Sequence, residues 1–212
     1  MACRTAPATA CRTTSRRIAR RAGVRTCRRI GLGLLVTLAL CARVPIAVGA
    51  PAIEERVDEY RLKAAILYNL ARFVDWPTDS FTDASAPLRV CVLGVDPFGS
   101  ALDDALRGHV VGGRAIETRR IAEPETGCHL LYVSASERSR VAAIVESVRR
   151  TAVLTVSDQV GFASVGGVVE LFTEGDRIRF CLNTAAAERA RLYLSVRLVA
   201  LASNQPSAGA AR

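Results

Sequence analysis

Seven cysteines, two histidines and a few serines and aspartates are the residues of this chain with chemistry to offer. The cysteines stand at 3, 11, 27, 41, 91, 128 and 181, and the histidines at 109 and 129. None of the spacings is C-x-x-C, and the Cys128-His129 doublet lacks the second pair that a zinc site needs, so it reads as the start of a strand. Ser134, Ser136, Ser157 and Ser164 have only those two histidines to serve as a base, and no G-x-S-x-G elbow surrounds any of them. Asp75, Asp96 and Asp158 fall at the ends of predicted elements, where aspartate caps helices and forms turns. Gly94-x4-Gly99-Ser100 has the outline of a phosphate loop, but no lysine follows the second glycine, and Asp96 puts negative charge where phosphate would lie. No acid, base and oxyanion site assemble. The chain is read as a non-enzyme that uses neither metal nor cofactor.

Charge sharpens that reading. The formal net charge is +9, which by itself invites a nucleic acid or an anionic membrane. Residues 1–52 hold ten arginines and no Lys, Asp or Glu, so residues 53–212 carry +9 − 10, or −1. The body is nearly neutral, and the case for nucleic acid goes with the leader. The leader reads as an export signal: an arginine-rich segment, the 13-residue apolar run Ile30 to Ala42, and Ala50-Pro51-Ala52 as an A-x-A cleavage site. A run of 13 is short for a membrane span, which takes about 20 residues. Residues 1–52 are therefore assigned as signal peptide, 53–202 as one α/β domain, and 203–212 as a small, polar, disordered tail. Four cysteines leave with the leader. In an oxidising compartment the remaining three make one pair and one leftover.

The elements that position these residues follow from periodicity. Val57, Tyr60, Ala64, Leu67, Ala71 and Val74 recur at three and four, widened by Ile66, Leu70 and Phe73, which predicts an opening helix. Pro77 disfavours helix at Trp76, so the helix is expected to end near that tryptophan. Trp76 reads as a lid on the core, because a large aromatic buries so much area. Pro87–Gly94 predicts a buried strand, and Asp96-Pro97 a helix with Leu102 and Leu106 inward. Strands follow at 115–121, 128–134 and 152–158, with a helix from a Ser134-x-x-Glu137 capping box through Val148. Two alternating runs around Glu174-Gly175-Asp176 predict a hairpin, and 184–202 reads as one closing helix in which Leu192, Val196, Val199 and Leu201 are apolar. The fold class expected is α/β: a single three-layer domain whose mixed sheet has a parallel, doubly wound core and a C-terminal antiparallel hairpin.

Several blocks, in order, carry a family likeness: YRLKAAILYNLARFVDWP, LRVCVLGVDPFGSAL, VVGGRAI, CHLLYVSASE, VLTVSDQVGFASVGGVVELF and RIRFCLNTAAAERARLYLSVRLVALA. Together they resemble the YfiR family over residues 58–202. The resemblance implies a periplasmic, dimeric α/β protein that binds the periplasmic domain of an inner-membrane diguanylate cyclase and holds it inactive. It also implies an outer-membrane lipoprotein as a further partner. The alternative it leaves open is a periplasmic small-molecule sensor associated with a kinase or an outer-membrane transport system. Such a sensor would use the mouth at the carboxyl ends of the parallel strands. Tyr68, Phe73, Trp76 and Phe162 are the candidate partner contacts.

The resemblance also implies a disulfide between Cys91 and Cys128, since members bridge the corresponding two strands. Sheet geometry points the same way. In a doubly wound order 2-1-3-4 the strands of Cys91 and Cys128 are neighbours, and adjacent strands lie about 4.8 Å apart. Cys181 is then the leftover, buried as a small hydrophobe. The family's second bridge, in the C-terminal half, has no counterpart here.

Overall fold

A computed structural model describes residues 51–202, so the leader and tail assignments fall outside the described residues except at 51–52. Helix α1 (Pro51–Arg72) opens the domain, followed by the two-residue strand β1 (Val74–Asp75) and by β2 (Leu88–Leu93). Then come α2 (Ala101–Leu106), β3 (Val110–Val111), β4 (Arg114–Ile121), β5 (Leu130–Val133) and α3 (Val141–Val148). The chain continues through β6 (Leu154–Ser157), β7 (Val169–Glu174), β8 (Arg177–Leu182), α4 (Thr184–Arg189), β9 (Tyr193–Leu194) and α5 (Val196–Leu201).

The main sheet runs β3-β4-β2-β5-β6-β7-β8. Strands β4, β2, β5, β6 and β7 are parallel, while β3 and β8 are antiparallel edges. Its centre, β4-β2-β5-β6, has the 2-1-3-4 order expected of the four predicted parallel strands, and β7–β8 is the expected hairpin. Alternation along the strands sorts the core onto two faces. Val90, Val92, Leu130, Tyr132, Leu154 and Val156 point to the side covered by α1 and α2. Cys91, Leu93, Leu131 and Val133 point to α3, against Ile144, Val145 and Val148. Leu67 and Leu70 of α1 are each 1% exposed, a burial contributing about 1.5–3 kcal/mol apiece.

Four local expectations are corrected. Helix α1 stops at Arg72, four residues before Trp76, because Val74 and Asp75 turn extended and pair with Leu194 and Tyr193 of β9. The 184–202 segment is two short helices and a strand, not one helix. Arg191 has φ 56°, its N–H donates to the carbonyl of Glu188, and the Leu192 N–H donates to that of Ala187. That is a Schellman ending with arginine where glycine is usual. The Ser134-x-x-Glu137 capping box does not form. The Ser134 hydroxyl donates to the Val95 carbonyl at 2.7 Å, Glu137 pairs with Arg140, and a 3-10 turn over Ala135–Arg140 leads into α3. Helix α2 begins at Ala101, not at Asp96, which instead accepts from the Phe98 N–H at 2.8 Å in a turn.

Candidate interaction site

The carboxyl ends of the parallel strands, where a doubly wound sheet usually takes its ligand, are filled by the chain's own side chains. Lys63, from α1, is 4% exposed. Its ammonium lies 2.6 Å from Asp158 Oδ2, just beyond β6, and 2.6 Å from Glu59 Oε1. The Tyr60 hydroxyl donates to the same Asp158 oxygen at 3.0 Å. The Tyr132 hydroxyl, fully buried, sits beside this group with no hydrogen bond of good geometry; burial, then the Asp158 charge, push its ionisation far above the usual range. Next to this cluster, the Ser157 hydroxyl donates to the Val133 carbonyl at 2.7 Å and the Gln159 amide to that of Ser134 at 2.9 Å.

The phosphate-loop outline is closed as well. Arg120 is held by Asp96, Asp103 and the Gly99 carbonyl. The Val95 N–H is spent on the Ser136 hydroxyl at 3.0 Å. Gly94, at φ 88°, is packed so closely that a Cβ there would lie 2.3 Å from the Ser136 hydroxyl. The Gly94, Val95 and Phe98 N–H groups have partners already, and carboxylates occupy the approach.

Open space lies elsewhere. At the amino ends of the strands one cavity of about 410 Å³ is lined by Trp76, Phe81, Leu88 and Arg114, and another of about 370 Å³ by Glu125, Cys128, His129 and Val153. His129 separates them as a staple. The Arg89 N–H donates to its Nδ1 at 3.0 Å, which places the ring proton on Nε2, 3.2 Å from the Ser80 carbonyl. Its ring stacks on Phe81 with centroids 4.2 Å apart, and the Trp76 indole N–H donates to its carbonyl at 3.1 Å. The lone tryptophan is thus tied to the head of β5 and packs on the edge of the core.

Burial, aided by the charges of Arg89 and Arg114, holds the His129 imidazole below its ordinary value of 6.5 despite the Ser80 bond. Protonation would remove the acceptor for Arg89. Because the folded pKa is the lower one, the unfolded chain binds the extra proton first. This stability is complete above about pH 6.5 and is lost as pH falls toward the folded value, by at most about 1.4 kcal/mol per pH unit. Urea unfolding midpoints are expected to drop between pH 7 and pH 5 in the native chain and to stay nearly level in His129→Gln. Parallel slopes would show that His129 does not carry the effect.

The fourth feature is a groove of about 350 Å³ on the flank of α1, lined by Ile66, Asn69, Leu70, Phe73, Phe180, Leu198 and Leu201. Of its lining, Leu201 is 64% exposed, and Leu62, one turn before Ile66 on α1, is 48% exposed. Of the predicted contacts, Phe73 lines this groove and Trp76 the neighbouring cavity. Tyr68, five residues before Phe73 on α1, packs on His109 at 4.4 Å. Phe162 stands apart: it is 1% exposed, packed with Cys91 and Val145 on the α3 side, and has no surface to offer a partner. Sequence reasoning missed Phe180, Leu198 and Leu201. The Ser195 cap, whose hydroxyl accepts from the Leu198 N–H at 3.2 Å, was the signal that a new helix starts there.

The predicted disulfide is present. Cys91 and Cys128 are bonded, with Cα atoms 5.9 Å apart, and Cys181 is buried outside it.

Fold and surfaces together define a doubly wound α/β domain whose carboxyl-end mouth is filled by its own side chains and whose α1 flank carries an apolar groove. The model of the YfiR/HmsC-like family matches residues 60–203, and the chain belongs to that family.

Proposed function

We propose that this protein is a periplasmic regulator of cyclic di-GMP signalling that represses an inner-membrane diguanylate cyclase by binding its periplasmic domain. The observation that carries the reading, beside family membership, is the apolar groove between α1, β8 and α5, at which Leu201 faces solvent with Leu62 one turn along α1 from Ile66. Apolar surface left open to solvent in this way is the usual mark of an interaction site. Phe73 and Trp76 sit at the groove and beside it, and a homodimer and an outer-membrane lipoprotein partner belong to the same reading.

Deleting the gene is expected to raise cellular cyclic di-GMP and biofilm formation several-fold. The native gene should restore the low level, and a Leu201→Asp version should not, although the exported variant should fold with an unchanged circular dichroism spectrum. Unchanged nucleotide levels in the deletion strain would sink the cyclase reading. Full complementation by Leu201→Asp would remove the flank from it. The sensor reading has one observation in its favour, the two amino-end cavities, each within the size range of small-molecule sites. It would then use the end of the sheet opposite to the expected mouth.

A further inference from the structure

Among the described residues, the disulfide borders one open cavity on its Cys128 side. Cys91 is 0% exposed and Cys128 4%, and Cys128 forms part of the wall of the 370 Å³ cavity between the β4–β5 loop and the end of α3. A reductant that enters this cavity meets the cysteine that borders it, Cys128, before the wholly buried Cys91. Glu125 also lines it, as do Arg150 and the Asp79-paired Arg191, but it is a carboxylate oxygen of Glu125 that lies within 4.8 Å of both sulfurs. Its side chain is 42% exposed, and its ion pair, to Arg119 Nη1, is long at 3.4 Å.

We propose that Glu125 is an electrostatic guard that keeps thiols off the Cys91–Cys128 bridge, with Arg119 partly offsetting it. Reduction begins when a thiolate bonds to Cys128 Sγ and Cys91 Sγ leaves with the electron pair. A second thiolate then attacks the mixed disulfide at the reductant's sulfur, releasing Cys128. Two thiols are oxidised to one disulfide, and both cysteines end as thiols after taking protons from solvent. The attacking species is an anion, and so is the leaving group. A fixed carboxylate about 5 Å away opposes the approach of the first and the departure of the second. Cys91 leaves into an apolar pocket, which disfavours its thiolate further. The guard thus acts on the rate of opening and needs no change in the fold.

The test is the reduction rate of the folded, oxidised protein by three monothiols of different charge: 3-mercaptopropionate, 2-mercaptoethanol and cysteamine. Glu125→Gln is expected to speed 3-mercaptopropionate by roughly tenfold, 2-mercaptoethanol by roughly threefold and cysteamine least, with the spread shrinking in 0.5 M salt. Arg119→Gln should do the opposite and slow the anionic thiol. Circular dichroism and the thermal midpoint serve as fold controls, since both side chains are surface groups. Equal acceleration of all three thiols, no acceleration, a faster Arg119→Gln variant, or rates independent of thiol concentration (the mark of attack only on unfolded chain) would each overturn the proposal.

Discussion

Replacing Lys63 by methionine is expected to cost about 3–5 kcal/mol of stability, the range for removing one partner of a buried ion pair. The side chains of Lys63 and Asp158 are 5% and 12% exposed, so the pair is largely removed from water. Methionine has similar length and no charge, so α1 keeps its packing while Asp158 is left with the Tyr60 hydroxyl alone. Asp158→Asn in the same background should recover much of the loss, because two neutral groups leave no charge stranded. A double-mutant cycle by urea unfolding measures this directly. A single-variant cost below about 1 kcal/mol would show the pair to be solvated, against the burial seen.

The pH dependence has a sign for each partner. Burial raises the Asp158 carboxyl, but the hydrogen bond and charge of Lys63 outweigh it, and the folded value lies below 3.8. Its contribution is present above 3.8 and is lost as pH falls through the folded value. Burial lowers the Lys63 ammonium, but its bonds to Asp158 and Glu59 hold it above 10.5. That contribution is lost as pH rises through the folded value. The pair is intact across the neutral range.

Most of the sheet was legible in the sequence because its strands are short apolar runs bounded by Gly, Pro and polar turns. Leu130–Val133 and Leu154–Ser157 are buried throughout, which leaves no other place for them than the centre of a parallel sheet. Helix endings were less legible. A Schellman ending normally shows itself by glycine, and Arg191 takes the left-handed position without one, so the apolar spacing of 184–202 ran on as one helix on paper. The β1–β9 pairing was hidden for another reason. Two residues against two carry no periodic signal, and the pairing joins parts of the chain 119 residues apart, from Val74↔Leu194 (120) to Asp75↔Tyr193 (118) about that mean.

The apolar flank was half legible. Phe73 stood out as an aromatic at a helix end, but the wall opposite comes from β8 and α5, and nothing local links Phe180 and Leu198 to α1. Asp158 was misread for the same reason. In sequence it is an aspartate at a strand end, the usual setting for a turn former. What makes it a buried carboxylate is Lys63, 95 residues earlier, and a lysine among apolar helix positions reads as solvent-facing until its partner is known.

Removing the bridge, as Cys91→Ala with Cys128→Ala, is expected to cost about 4 kcal/mol. Cross-linking residues 37 apart restrains the unfolded chain by that amount in the chain-entropy account, within a usual range of about 2–5 kcal/mol. The native side adds to the cost. Cys91 is wholly buried between Leu93, Leu131 and Val145, so alanine leaves a small void in a packed layer. The bridge also fixes the head of β5 beside β2, where the His129 staple, the Trp76 bond and both amino-end cavities are built, so its loss should loosen that end of the domain before the rest. Hydrogen exchange should show this as faster exchange of the Arg89 and His129 amides, which bond to His129 Nδ1 and the Arg89 carbonyl, than of amides in β7 and β8. Thermal unfolding with and without reductant gives the global figure, and the double variant should match the reduced native protein. A reduced protein as stable as the oxidised one, or protection lost evenly across the sheet, would mean that the bridge holds nothing the packing does not hold already.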